Sequence, residues 1–224
     1  MREANPERPT LATHAYSVAC GYAELEQGAR AFGIASLRDA TMWEFNLKIG
    51  VGHGVQLAAF GPGYMRTAAG SGVGDLGATI KVSRALSQRA AGALVTSATF
   101  PTGDARRGFG AGRVLGNAIV VLSVDLPAQF HSDVNIGPTS IGDGKPQWFA
   151  SFGVSRGGRI GFATELSEFT PGAVGPRQTR ALGALVLRAA PWVVVDVGGA
   201  VGLTGQTPDQ LSVGVTTNLG RIFK

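Results

Sequence analysis

Long apolar runs are missing from this chain. Nowhere in its 224 residues do about 18 apolar residues follow one another unbroken, which excludes a transmembrane helix. The best stretch, residues 191–203, is cut by Asp196. Charge is scarce as well, at 16% of residues, against roughly 25% in an ordinary soluble domain. The single cysteine, Cys20, excludes an intrachain disulfide. Three dispersed histidines, His14, His53 and His131, offer no clustered metal ligands, and no cofactor is implied. The net charge is +5, yet the basic residues stand singly, without an aromatic-interleaved basic stripe. That argues against nucleic acid as a partner. Met1 to Thr10 is polar and lacks an apolar signal-peptide core. Either a signal was removed, or the start is truncated, or the protein is not exported; the first two fit a barrel and the third would count against one.

What the chain has instead is glycine, 34 residues of it, and a regular alternation of apolar and polar residues. The alternation predicts about twelve strands, near 20–33, 40–50, 53–65, 73–86, 89–101, 113–127, 130–138, 147–156, 158–170, 178–190, 192–204 and 210–223. Connections at 50–54, 86–89, 128–131, 155–159 and 189–192 are tight. Those at 34–40, 65–72, 102–112, 139–146, 170–178 and 204–209 are longer and rich in Gly, Pro or Asp. Short turns alternating with long loops, and no helix between strands, predict an all-β, up-and-down antiparallel transmembrane barrel with both termini periplasmic. Residues 1–18 read as an extended lead-in and 19–224 as the barrel. A Gly-rich soluble β-fold is the rival.

The faces support the membrane reading. Trp43, Phe45, Leu47 and Ile49 alternate with Glu44, Asn46 and Lys48; Leu76, Ala78, Ile80 and Val82 alternate with Thr79, Lys81 and Ser83. Aromatics gather near strand ends: Trp43, Tyr64, Phe100, Trp148 and Phe169 toward the external rim, and Phe130, Trp192 and Phe223 toward the periplasmic one. A Lys or Arg facing lipid at the midplane would cost roughly 2–4 kcal/mol. The mid-strand charges must therefore face the lumen. Glu24, Glu26, Glu44, Lys48, Asp75, Lys81, Glu165, Arg188 and Asp196 are the expected pore-lining residues.

Two stretches carry a resemblance. Gly72-Val73-Gly74-Asp75-Leu76-Gly77-Ala78-Thr79-Ile80-Lys81 is followed by Phe100-Pro101-Thr102-Gly103-Asp104. Upstream stand Glu7-Arg8-Pro9 and Gly21-Tyr22-Ala23-Glu24-Leu25-Glu26. The pattern resembles the outer-membrane transporter family of the MetA pathway of phenol degradation. Its members share an Arg-Pro lead-in, a Gly-x-x-x-Leu-Glu first strand, a Gly-Asp-x-x-x-x-x-Lys strand and a Pro-Thr-Gly at the end of the next. The resemblance implies an outer-membrane channel for small, often hydrophobic compounds. The chain departs from the pattern in its short lead-in. It also departs from barrels generally in ending on Lys224 after Phe223, where they usually end on the aromatic read by the insertion machinery.

The expectation is a monomeric barrel in the cell outer membrane that passes small solutes by passive diffusion. Its partners would be outer-membrane lipid, lipopolysaccharide and the barrel-insertion machinery. Arg106, Arg107 and Arg113 in the longest loop could meet lipopolysaccharide phosphates or simply be solvated. A structural or adhesive barrel with a plugged lumen stays open as an alternative, because twelve strands lie between the filled eight-stranded and the open sixteen-stranded cases. A lipid hydrolase is a weaker rival, and the protein is read as a non-enzyme. His131 neighbours Ser132, but adjacent strand residues point to opposite faces, and no Gly-x-Ser-x-Gly elbow occurs.

Overall fold

A computed structural model describes residues 2–33, 40–142, 144–204 and 207–223. The described strands are β1 (Tyr22–Phe32), β2 (Ala40–Gly52), β3 (Val55–Thr67), β4 (Gly70–Gly72), β5 (Leu76–Ala85), β6 (Ala90–Phe100), β7 (Leu115–Asp125), β8 (Phe130–Thr139), β9 (Gln147–Arg156), β10 (Ile160–Phe169), β11 (Gln178–Ala190), β12 (Val193–Gly202) and β13 (Gln210–Arg221). All but β4 form a ring of antiparallel neighbours, with β2 paired to β3 and β1 to β13. Tyr22 stands opposite Arg221 and Phe32 opposite Gln210, so the first strand zips onto the last and leaves the wall no free edge. The result is a closed twelve-stranded barrel plus one short strand.

The short strand corrects one sequence expectation. A loop was expected at 65–72 with a strand starting at 73. Instead β4 pairs with the outer end of β3, Met65 opposite Gly72 and Thr67 opposite Gly70. The ladder resumes where Phe60 meets Gly77, and between the two the Gly74 N–H donates to the Pro62 carbonyl at 3.0 Å. β4 is thus the detached outer end of the β5 strand. The break lies where Pro62 has no N–H to donate and Gly61 takes a φ of +154°.

Tight turns join the strands at the end carrying both termini. Between β2 and β3 the two-residue turn His53-Gly54 has φ of +51° and +76°. Such a turn matches the right-handed twist of its strands, and only a glycine-tolerant pair adopts it readily. The longer connections lie at the opposite end. The expected loop at 34–40 lies outside the described residues apart from Ala40, as do parts of those at 139–146 and 204–209.

Burial is inverted relative to a soluble protein. Among the most buried side chains are Lys48 and Lys81, at 0% and 1% exposure, while Ile80, Phe152, Leu185 and Val197 on outward positions are 50–62% exposed. Outward apolar residues recur around the whole ring, far beyond the patches of a few hundred Å² that soluble monomers show. Trp43, Tyr64, Phe100 and Trp148 are exposed toward one rim, with Trp192 and Phe223 toward the other. Of the other two expected girdle aromatics, Phe130 is half-buried beside Phe162, ring centres 6.1 Å apart, and Phe169 leaves the girdle. It turns inward and packs on Phe149, ring centres 4.8 Å apart, because both side chains lie on the inner face of their strands.

An outward charge placed in this band is expected to be costly in proportion to its depth. Val197→Lys, at mid-strand, should lower stability in phospholipid vesicles by about 2–4 kcal/mol, and Val201→Lys, near the rim, by about 0–1 kcal/mol. Denaturant titration of the two variants checks this.

Candidate functional site

The barrel interior is occupied by the lead-in. Residues 2–19 pass up from the tight-turn end, reverse near Arg8–Leu11, and return to the start of β1. The segment has little sheet of its own, so its peptide groups need other partners. Inward side chains of the wall supply them. Glu24 Oε1 accepts from the Asn5 N–H at 3.2 Å, and Glu26 Oε1 from the Glu7 N–H at 2.7 Å. Glu165 accepts from Leu11 at 3.3 Å and Ala12 at 2.7 Å. Asn135 makes a two-way pair with the Thr13 backbone, at 3.1 and 2.9 Å. Ser123 Oγ takes the Ala15 N–H at 2.7 Å and Gln56 Oε1 the Val18 N–H at 2.9 Å.

Two lysines neutralise the carboxylates. Lys48 Nζ lies 2.8 Å from Glu26 and 3.3 Å from Glu24, and donates to the Asn5 carbonyl at 3.2 Å. Lys81 pairs with Glu7 and donates to Thr13 Oγ1 at 2.7 Å and the His14 carbonyl at 2.9 Å. Each lysine therefore ties a strand of the wall to the lead-in. Burial alone would raise the Glu7 carboxyl, but Lys81 and Lys48 outweigh it and hold it below the usual carboxylate range. Burial, helped by Lys81, pushes the His14 imidazole down to about 4.

Arg8 forms the tip. Its Nη1 meets Glu44 Oε1 at 2.6 Å, its Nε lies 3.5 Å from Asp196, and its Nη2 reaches the Val213 carbonyl at 3.4 Å. The guanidinium fits because the wall beneath it is glycine. A Cβ on Gly28 would sit 2.5 Å from Arg8 Nη2, and one on Gly214 would sit 2.2 Å from its Nε. On the external side, Arg30 Nη2 reaches the same Glu44 oxygen at 2.6 Å.

Two cavities flank this partition. One, of about 420 Å³, opens toward the tight-turn end and is lined by His14, Tyr16, His131 and Arg188 among others. The other, of about 450 Å³, lies on the external side beneath Arg30, Phe60 and Asn117. Glu7, Arg8, Thr10 and Ala12 line both.

Of the residues singled out from sequence, Glu24, Glu26, Lys48, Lys81, Glu165 and Asp196 are buried inside the barrel and Glu44 is partly buried there. Arg188 sits at the lower mouth, holding the Ala4 carbonyl at 3.2 Å. Asp75 lies just before β5 and organises a loop: it accepts from the Gly103 N–H at 2.9 Å and the Ala111 N–H at 2.6 Å. Arg107 turns back onto the Ala69 carbonyl at 3.3 Å and over the Phe109 ring, while Arg106 and Arg113 are exposed. Sequence reasoning missed Arg8, Arg30, Gln56, Ser123, Asn135 and Arg180. The uncharged ones carried a usable signal, since they alternate in phase with the charged inward positions.

His131 is held between Asp125 and Asp133, at 2.8 and 3.0 Å. Among the described residues no serine hydroxyl is bonded to a histidine ring, and no cluster of potential metal ligands occurs.

No protein-family profile matches the chain, and no curated protein matches it. Solved structures do. The chain is similar to an outer membrane channel from Pseudomonas putida F1, with a TM-score of 0.71 and 11% identity, covering 97% of this chain and 100% of that one. The fold is that of outer-membrane channels. The NanC porin matches with a TM-score of 0.64 and 11% identity over 88% of this chain and 100% of its own. The KdgM porin in complex with disordered oligogalacturonate gives 0.64 and 8%, over 88% and 99%.

Removing one side of the buried network should be severe. Lys48→Met leaves Glu24 and Glu26 facing each other without their cation, and is expected to cost about 3–5 kcal/mol. The denaturant midpoint of the refolded barrel checks this. Acid should also loosen the lead-in. His14 titrates near 4 when docked and near 6.5 when free, so the undocked state takes up a proton first. The His14 contribution to docking should be complete above pH 6.5 and decline as the pH falls toward 4, and protonation of Glu7 should continue the loss below its ordinary range. A nitroxide at residue 10, in a Cys20→Ser background, should gain mobility between pH 7 and 5, and His14→Gln should flatten that change.

Proposed function

We propose that this protein is an outer-membrane channel that passes small solutes by diffusion, with its lead-in as the restricting element. The observation that carries this reading is the pair of cavities, one from each mouth, that meet at Glu7, Arg8, Thr10 and Ala12. A route through the barrel exists apart from the width of one folded-in segment. The apolar outer band and the girdle aromatics support placement in the outer membrane, as does the likeness in fold to outer-membrane channels. The sequence motifs favour the MetA-pathway family and small hydrophobic or aromatic cargo. The apolar part of the external cavity, formed by Leu11, Phe60, Pro62 and Val95, agrees with such cargo.

A second reading is favoured by the hydrogen bonds that seat the lead-in: a barrel closed at rest. Single-channel recording in planar bilayers separates the two. The full chain is expected to give small discrete steps, and a variant lacking residues 2–13 to give steps at least several-fold larger. A silent full chain with a conducting truncated form would establish the closed barrel. Silence from both would overturn the channel.

A further inference from the structure

The external cavity is lined by unlike groups. Arg30 projects inward from β1, donating to Glu44 at 2.6 Å and to Gln210 at 3.2 Å, while its Nε is buried without a partner. Arg180, inward on β11 and 7% exposed, lies within electrostatic reach of Arg30. Its Nε is also buried without a hydrogen bond. Two guanidinium groups thus stand near each other with donor capacity unused, which costs free energy in a low-dielectric interior unless an acceptor arrives.

The acids facing this cavity are already paired. Lys81 holds Glu7, Lys48 holds Glu26 at 2.8 Å, and Arg8 and Arg30 share Glu44. A cation entering here meets no open carboxylate, whereas an anion meets Arg30. An apolar wall is contributed by Leu11, Phe60, Pro62 and Val95, with Pro62 directly across from Glu44. A volume of about 450 Å³ is that of a small-ligand pocket.

We infer that the external cavity is a binding site for small carboxylates that carry an apolar arm. The carboxylate sits on the Arg30 guanidinium, whose planar donors match its oxygens, in the field of Arg180. The arm lies against Phe60 and Pro62. The inference deepens the channel reading and rests on it only for how the solute arrives and leaves.

Calorimetric titration of the detergent-purified full chain with benzoate, and with neutral benzamide as its isostere, tests this. Benzoate should bind at least about tenfold more tightly than benzamide, as loss of a charge-assisted hydrogen bond implies. Arg30→Gln should weaken benzoate by about tenfold or more and leave benzamide unchanged. Arg30→Lys should fall between, and Arg89→Gln, in an exposed turn, should match wild type. Heat-modifiable gel mobility establishes that each variant forms the barrel, and Arg180→Gln, expected to weaken benzoate by a smaller factor, provides a second variant if Arg30→Gln does not. Equal affinity for the two probes, no binding of either, or unchanged benzoate affinity in a folded Arg30→Gln barrel would overturn the inference. Absent benzoate binding in a protein that conducts overturns this site and leaves the channel standing. Benzoate binding in a protein silent in bilayers supports the site and counts against the channel.

Discussion

The interior of this barrel is organised by the peptide N–H groups of its lead-in. A segment without a ladder of its own, enclosed by a sheet whose backbone groups are already paired, must find acceptors among side chains. Glu24, Glu26, Glu165, Asn135, Ser123 and Gln56 each give up an oxygen for that purpose. They come from strands spread around the ring, so the lead-in is held by the wall as a whole. Carboxylates suit the task because an ionised oxygen accepts more strongly than a neutral one. They also bring charge into a space of low dielectric, and Lys48 and Lys81 follow from that need. Lys48 pairs with wall carboxylates and Lys81 with Glu7 of the lead-in, and both use remaining donors on lead-in carbonyls.

Glycine solves the complementary problem of space. Twelve strands leave room for a folded segment, but the guanidinium of Arg8 lies flush against the wall. Gly28 and Gly214 stand opposite each other on β1 and β13, and their missing side chains form the recess. The high glycine content therefore has a local meaning at this seam. Arg8 and Arg30 converge on one oxygen of Glu44 from opposite sides, which joins the tip of the lead-in to the external cavity by a single carboxylate.

The wall was legible in the sequence because period-two alternation records which way each side chain points, and because turn chemistry separates short from long connections. Strand ends fell within a few residues of their places for that reason. β4 was not legible: its residues, Gly-Ser-Gly, carry no alternation, and its partner strand is interrupted by Gly61 and Pro62. The inward direction of Lys48, Lys81 and Glu165 could be read from the cost of turning them to lipid. Their partners could not be, since the lead-in is not a strand and its contacts lie as far as 205 residues away in sequence. Asp75 shows the limit of the parity argument. It has the right phase for the lumen, yet it sits one residue beyond the ladder, where loop N–H groups outcompete solvent for its oxygens.

The lead-in and the wall are coupled by different kinds of bond, and this bears on how the barrel can work. The wall is closed by backbone ladders that run from β1 round to β13, and none of those strand pairings uses a residue before Tyr22. The lead-in is held mainly by side chains, with a backbone bond from the Ala4 N–H to the Pro191 carbonyl at 2.9 Å. Its displacement would therefore leave every strand pairing intact; Lys48 keeps Glu24 and Glu26 on the wall, whereas Lys81 loses Glu7. A lumen filled by wall side chains could widen only by deforming the wall, whereas one filled by a separate segment can widen while the wall stays fixed. In the proposed channel the width of the path follows the docking of residues 2–19, whose tip is fixed by Arg8 on Glu44.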